Sequence, residues 1–268
     1  MRYITTPKKI SNTKIVDFFR SINMDFVVKL SKEYQESVND MSSDLKYRPQ
    51  LLDLYRLYQI LKLNKRTTVL EFGSGYSSLI FATALSHLKN KYMTQIKKLR
   101  RNNPFELFIL ESEKKYLNIT RTRIDRYFTD NPDLDKIDIH YKTSKVMMTT
   151  FNGRICTEYK SLHKCNPDFI YIDGPEQFNV HKKINDFTTA HKDMMPMICD
   201  ILKIEYFLTP GTIILLDGRG ANTAFLKNNL QRNWIYYECP EFDQHLFYLN
   251  DPSLGEYNRA QLDFYKSK

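Results

Sequence analysis

Between Thr67 and Leu88 a strand, a glycine turn and a helix follow one another without a gap. Thr67-Thr68-Val69-Leu70-Glu71-Phe72 is a short run of β-branched and apolar residues, the pattern of a strand buried inside a sheet. Gly73-Ser74-Gly75 ends it. From Tyr76 onward Leu79, Ile80, Thr83, Ala84 and Leu88 fall at helical spacing, which predicts a helix over 76–88. A strand that runs straight into a helix is the opening of a crossover, so the next strand lies parallel to the first.

The rest of the chain repeats this theme. Phe105–Glu111, Ile137–Tyr141, Asp168–Asp173 and Thr212–Leu216 read as further strands. Helical stretches are expected at Lys114–Tyr127, over 180–208 with a break at Pro196, and at Asn222–Leu230. Trp234–Cys239 and Gln244–Leu249 are separated only by a turn at Pro240, so they are expected to pair antiparallel. The predicted fold is α/β: a Rossmann-like, doubly wound, seven-stranded and mostly parallel sheet with one antiparallel strand near its edge. Lys89–Asn103 is a polar interruption, and Phe151–Lys164 shows no clear period. Upstream, Pro49 starts a helix whose apolar face is Leu51, Leu54, Tyr55, Tyr58 and Leu61. Residues 1–48 are expected to be an N-terminal helical extension, with apolar patches at Ile15–Phe19 and Asp25–Leu30, and 49–268 the domain that carries the sheet.

Charge and cysteine content narrow the class. The net charge of +9 suits nucleic acid, an anionic membrane surface or an acidic substrate, and equally serves solubility. Cys156, Cys165, Cys199 and Cys239 form no CxxC pair and no zinc spacing, which fits reduced thiols in the cytoplasm. The start, MRYITTPKKISNTK, has no apolar core of signal-peptide length, and no stretch approaches the ~20 apolar residues of a membrane span. The expectation is a cytoplasmic protein with no membrane span.

In a doubly wound sheet, ligands bind beyond the carboxyl ends of the strands, where the winding reverses. Glu71-Phe72-Gly73-Ser74-Gly75-Tyr76-Ser77 stands there. The helix that follows offers free N–H donors to a carboxylate or phosphate. Ser78 replaces the third glycine of a dinucleotide fingerprint, and Glu71 repels a pyrophosphate but attracts an ammonium. Glu111 ends the next strand and suits a ribose diol. An ammonium, a carboxylate and a diol without phosphate describe S-adenosylmethionine better than a nicotinamide dinucleotide.

TVLEFGSGYSS resembles the first motif of class I S-adenosylmethionine-dependent methyltransferases. PQLLDLYRLYQILKLNK, the GYS after the glycines, DFIYIDGP and GTIILLDG are similar, in the same order, to the small-molecule O-methyltransferase branch, over roughly residues 49–250. The resemblance implies a methyltransferase domain over 49–268. Glu71, Gly73, Gly75 and Ser77 would hold the methionine end, Glu111 the ribose, and Thr143 and Ser144 the adenine edge, with Asp173 near the donor's ammonium. One departure stands out: Glu111 lies much further from Gly75 than the usual ~20 residues, with 89–103 as the insertion.

Two strand-end aspartates, Asp173 and Asp217, face one cleft in this reading. In the metal-dependent branch such a pair and a neighbouring Asp or Asn hold a divalent ion, usually magnesium. Gly218 occupies the third ligand's usual place here, leaving Asn222 as the substitute. Asp173 and His181 are the candidate catalytic residues, His181 as a general base because its pKa lies near working pH. The implied activity is O-methylation of a small hydroxylated acceptor such as a sugar. A nucleic-acid methyltransferase is the alternative raised by the run Lys89–Arg101, although the run has few aromatics and the chain lacks an Asn/Asp-Pro-Pro-Tyr-like tetrad. A non-catalytic cofactor-binding module is a further alternative.

Overall fold

Alternate residues of each central strand are buried on opposite faces, which is why these strands read as largely apolar runs. Val69, Leu107, Ile109, Tyr171, Ile213 and Leu215 enter one core. Leu70, Phe72, Leu110, Ile170, Ile172 and Ile214 enter the other. The structure, a computed structural model, describes residues 3–31 and 48–267.

Helices α1 (Asn12–Ser21), α2 (Asp25–Leu30) and α3 (Leu51–Leu63) precede strand β1 (Thr68–Phe72) and helix α4 (Tyr76–Ile96). Then come β2 (Glu106–Glu111), α5 (Lys114–Asp130), β3 (Asp138–Thr143), β4 (Val146–Phe151), β5 (Arg154–Tyr159), β6 (Phe169–Ile172) and β7 (Val180–His181). The chain closes with α6 (Asp200–Ile204), β8 (Ile213–Asp217), α7 (Gly220–Asn229), β9 (Trp234–Cys239), β10 (Gln244–Leu249) and α8 (Glu256–Lys266). The main sheet has seven strands in the order β3-β2-β1-β6-β8-β10-β9. Every neighbouring pair is parallel except those of β10, which runs antiparallel to β8 and β9. The expected α/β sheet with one reversed strand is the one observed. From β1 the winding goes outward to β2 on one side and to β6 on the other, which opens a cleft at their carboxyl ends.

The other ends of β1 and β6 are locked by Asp168, which is 1% exposed. Its carboxylate accepts from Thr67 N, Thr68 N, Thr67 Oγ1 and the Tyr265 hydroxyl, at 2.6–3.0 Å. Arg101 Nη2 lies 3.5 Å away in a buried ion pair. Arg101 belongs to the basic run, so part of that run is internal scaffolding at the end of the sheet away from the cleft.

Three expectations need correction. The helix after the glycine turn continues past the expected end at 88 to Ile96, so much of the polar interruption 89–103 is extra helix. The segment 180–208 is not helical in outline: helix is confined to Asp200–Ile204, with a 3₁₀ turn at Glu205–Phe207. Its polar residues instead bond their own backbone or take left-handed conformations, as in Thr188 Oγ1 accepting from Ala190 N and in Lys182, Asn185 and Asp186. The stretch without a clear period, Phe151–Lys164, holds β5, which with β4 and β7 forms a second sheet of order β5-β4-β7; its β4–β5 hairpin turns at Asn152-Gly153, both at positive φ.

The described part of the N-terminal extension shares its core with the domain. Ile15, Phe19, Met24, Val27 and Val28 are buried in one cluster with Leu54, Leu57, Ile60 and Leu61 of α3. The helical reading of 32–47 falls outside the described residues. No described helix is long and apolar enough to cross a membrane.

Candidate active site

The floor of the cleft is a backbone contact between the ends of β1 and β6. Gly174 N and Asp173 N both donate to Phe72 O, at 2.6 and 2.9 Å. Gly73 has φ of 110°, a conformation that side chains rarely adopt. A Cβ on Gly174 would stand 2.8 Å from Gly73 N and 2.8 Å from the Tyr159 hydroxyl. Gly75 differs: its φ of 172° suits any residue, and a Cβ there would meet only Ser77 Oγ, at 3.9 Å. Nothing in the protein requires glycine at 75, yet it borders the cleft, and its bareness leaves room for a ligand.

Above this floor lies a cavity of about 800 Å³, within the size range of small-molecule sites. Gly73, Ser74, Gly75 and Ser77 form one wall, and Glu111 stands beside them. Glu111 is held from both sides. Oε1 accepts from Ser112 N at 2.7 Å and Glu113 N at 3.0 Å, while Oε2 accepts from Ser74 Oγ at 2.8 Å. The long sequence separation is therefore spanned by the lengthened α4, and the carboxylate still meets the glycine turn.

Glu71 does not line the cavity. It is fully buried beneath the turn, where Ser77 Oγ donates to Oε1 at 2.5 Å and Oε2 has no hydrogen-bond partner among the described residues. Burial pushes its carboxyl up to about 8, against the lowering effect of Ser77 and Ser78. Ser77 relays it to the cavity wall.

Asp173 and Asp217 both reach the cavity. Arg219 grips the Asp173 segment: Nη1 donates to Pro175 O at 3.2 Å, Nη2 donates to Asp173 O, and Nε lies 3.6 Å from Asp173 Oδ1. Depth in the cleft pushes the Asp173 carboxyl up and Arg219 pulls it down. Half of the Asp173 side-chain surface still opens into the cavity itself. Asp217 has no ion pair among the described residues; the Tyr171 hydroxyl approaches Oδ2 at 3.4 Å. Burial, then the Asp53 and Asp173 carboxylates, push its pKa up to about 7.

The other sequence candidates stand elsewhere. His181 is exposed on β7, paired beside Met147, and does not border the cavity. Thr143 is exposed and Ser144 is buried, its hydroxyl accepting from Ser161 N at 2.9 Å; neither lines the cavity. That wall comes instead from α5, through Tyr116, Ile119, Thr120 and Arg123. Their i, i+3, i+4, i+7 spacing is one helix face, a signal present in the sequence but hidden by the basic residues around it. Asp53 of α3 and Phe242 also border the cavity.

The residues do not fit a divalent metal. Gly218 offers no side chain, Asn222 is buried on α7 away from the cavity wall, and the cation beside Asp173 is Arg219. Among the described residues no three His, Cys, Asp or Glu side chains come together as a metal site.

No protein-family model and no curated protein matches the sequence. Among solved structures, the chain is similar to a methyltransferase of Podospora anserina bound to SAH, at 16% identity over 91% of this chain and 99% of that one, with a TM-score of 0.47. It is similar to an O-methyltransferase from Bacillus cereus in complex with SAH, at 14% identity over 91% and 92%, with a TM-score of 0.40. An O-methyltransferase from Streptomyces achromogenes in complex with SAM gives 14% identity over 90% and 97%, with a TM-score of 0.40. Likeness of this degree carries nothing about what the cavity binds.

Proposed function

We propose that this chain is an S-adenosylmethionine-dependent methyltransferase acting on a hydroxyl of a small acceptor, a sugar or similar, without a metal ion. One observation carries the reading: the glycine turn and Glu111, a strand apart, border the same cavity and are joined through Ser74. An amino-acid tail at the turn and a ribose at Glu111 then belong to one molecule. Glu71 reaches the cavity only through Ser77, and the open space at Gly75 leaves room for the amino-acid end.

Bound S-adenosylmethionine supplies a methyl group already activated on a sulfonium. The protein's task is alignment and exclusion of water. Free N–H groups in the first turn of α4, the Ser77 amide among them, receive the carboxylate. Glu111 accepts from both ribose hydroxyls. The α5 face of Tyr116, Ile119 and Thr120 covers the base. On the acceptor side Asp217 is the carboxylate placed to take a proton, because Asp173 is held by Arg219 and His181 is off the cavity. With the methyl group supplied by the bound donor, an Asp217 carboxylate oxygen would take the acceptor's hydroxyl proton.

The basic run gives no support to a nucleic-acid acceptor. The 21-residue α4 begins at the cavity and ends about 30 Å away, and the run sits on its far part and beyond. Thermal unfolding with S-adenosylmethionine, SAH and NAD tests the function. The two sulfur nucleosides should raise Tm and NAD should not; stabilisation by NAD alone overturns the reading.

A further inference from the structure

Arg219 follows Asp217 by two residues, and its guanidinium reaches across to the next strand end. Two of its five N–H groups go to the carbonyls of Asp173 and Pro175, and Nε faces Asp173 Oδ1 at 3.6 Å. It therefore bridges the ends of β8 and β6, the two strand ends that carry the acidic pair. Its side chain is 17% exposed and forms part of the cavity wall. A divalent ion shared by Asp173 and Asp217 would have to stand beside this fixed positive charge, with Gly218 contributing no donor.

We infer that Arg219 takes the place of a metal ion in this cavity: its guanidinium is the permanent cation that neutralises Asp173 and excludes divalent metal from the Asp173–Asp217 pair. The chemical consequence concerns the acceptor. A metal rewards two adjacent oxygens that chelate it. A guanidinium meets oxygens through separate N–H donors, so a single hydroxyl suffices for recognition. Acceptors with one hydroxyl should be used as readily as vicinal diols. This assignment to the acceptor rests on the methyl-transfer reading, whereas exclusion of metal is a property of the residues alone.

Manganese titration followed by electron paramagnetic resonance of free Mn²⁺ tests it on the full chain, with SAH binding measured in parallel by calorimetry. The wild type should take up no stoichiometric Mn²⁺ at millimolar metal, with or without SAH. Arg219→Ala leaves the acidic pair without its cation, so it should bind Mn²⁺ about tenfold more tightly than the wild type, and adding Asp217→Asn should abolish the gain. Arg219→Gln, which keeps hydrogen-bond donors to the two carbonyls, should show the same gain if the alanine variant does not fold. One Mn²⁺ per wild-type chain, lost in Asp217→Asn, overturns the inference. So does a folded Arg219 variant with no gain in Mn²⁺ affinity. Failure of SAH to bind refutes the methyl-transfer reading and leaves the manganese result to decide this one.

Discussion

Ser74 Oγ donates to Glu111 Oε2 at 2.8 Å, linking the glycine turn after β1 to the strand end of β2. The two residues are far apart in sequence, yet this bond fixes the spacing between the sites proposed for the methionine tail and the ribose. Ser74→Ala frees Oε2 while leaving the two amide bonds to Oε1. Affinity for S-adenosylmethionine should fall about three- to tenfold, the net worth of one ordinary hydrogen bond, with kcat at saturation little changed. Calorimetry and steady-state kinetics check the two parts separately.

Two glycines should respond in opposite ways. A Cβ at 174 lies 2.8 Å from Gly73 N, a backbone atom that cannot swing aside. Gly174→Ala should destabilise the fold by about 1–3 kcal/mol, the usual cost of overpacking. A Cβ at 75 meets only Ser77 Oγ, at 3.9 Å. Gly75→Ala should keep the wild-type Tm and lose nucleoside binding. Thermal unfolding with and without SAH separates these outcomes.

The acid–base chemistry predicts a rate limb. With its carboxyl pushed up to about 7 by burial and by Asp53 and Asp173, Asp217 is largely protonated in weak acid. The value of kcat/KM should rise about tenfold per pH unit below that value and level off above it. Asp217→Asn should remove the limb and lower kcat by roughly 10²- to 10⁴-fold. A pH–rate profile of both proteins provides the check.

Stability should fall as pH rises. Glu71 is raised to about 8 by burial, so between the ordinary carboxylate range and that value the folded state holds a proton the unfolded chain has released. The contribution is fully present below the unfolded pKa and is lost as pH climbs through the folded one. Glu71→Gln cannot ionise, so its Tm should decline less between pH 5 and 8, a window of about three units set by that shift. A parallel decline in both proteins contradicts this.

Asp168→Ala should be the most damaging substitution outside the cavity. It strands Arg101, whose side chain is 5% exposed, and leaves Thr67 N and Thr68 N without their acceptor. Losing one partner of a buried ion pair costs about 3–5 kcal/mol, readable as a lowered urea midpoint.

The parts of this molecule that were legible in sequence share a cause. The central strands are buried on both faces, so Phe169–Ile172 and residues 213–216 are apolar without a break and run into the carboxylates Asp173 and Asp217. Residues whose job is local were harder to read. The 180–208 segment carries helix-like apolar spacing, but Thr188 and Thr189 side chains bond backbone groups, and Asn185 and Asp186 take left-handed conformations, which breaks the helix. The β4–β5 hairpin was signalled by Asn152-Gly153, which is short and lies between half-buried strands without clean alternation. In the cavity, strand-end residues Glu111, Asp173 and Asp217 were placed by topology alone. The contribution of α5 depends on how that helix is rotated, which only packing decides. The pairing of Arg219 with Asp173 is likewise a side-chain event across two strands.

The central claim is that one cavity holds both ends of a methionine-linked nucleoside, and titration calorimetry with SAH on wild type and Glu111→Ala tests it most directly. The expected result is one site per chain for the wild type, weakened about 10- to 100-fold when the charge-assisted bonds to the ribose are lost. An SAH affinity unchanged by Glu111→Ala, or no binding of SAH to the wild type, contradicts the account.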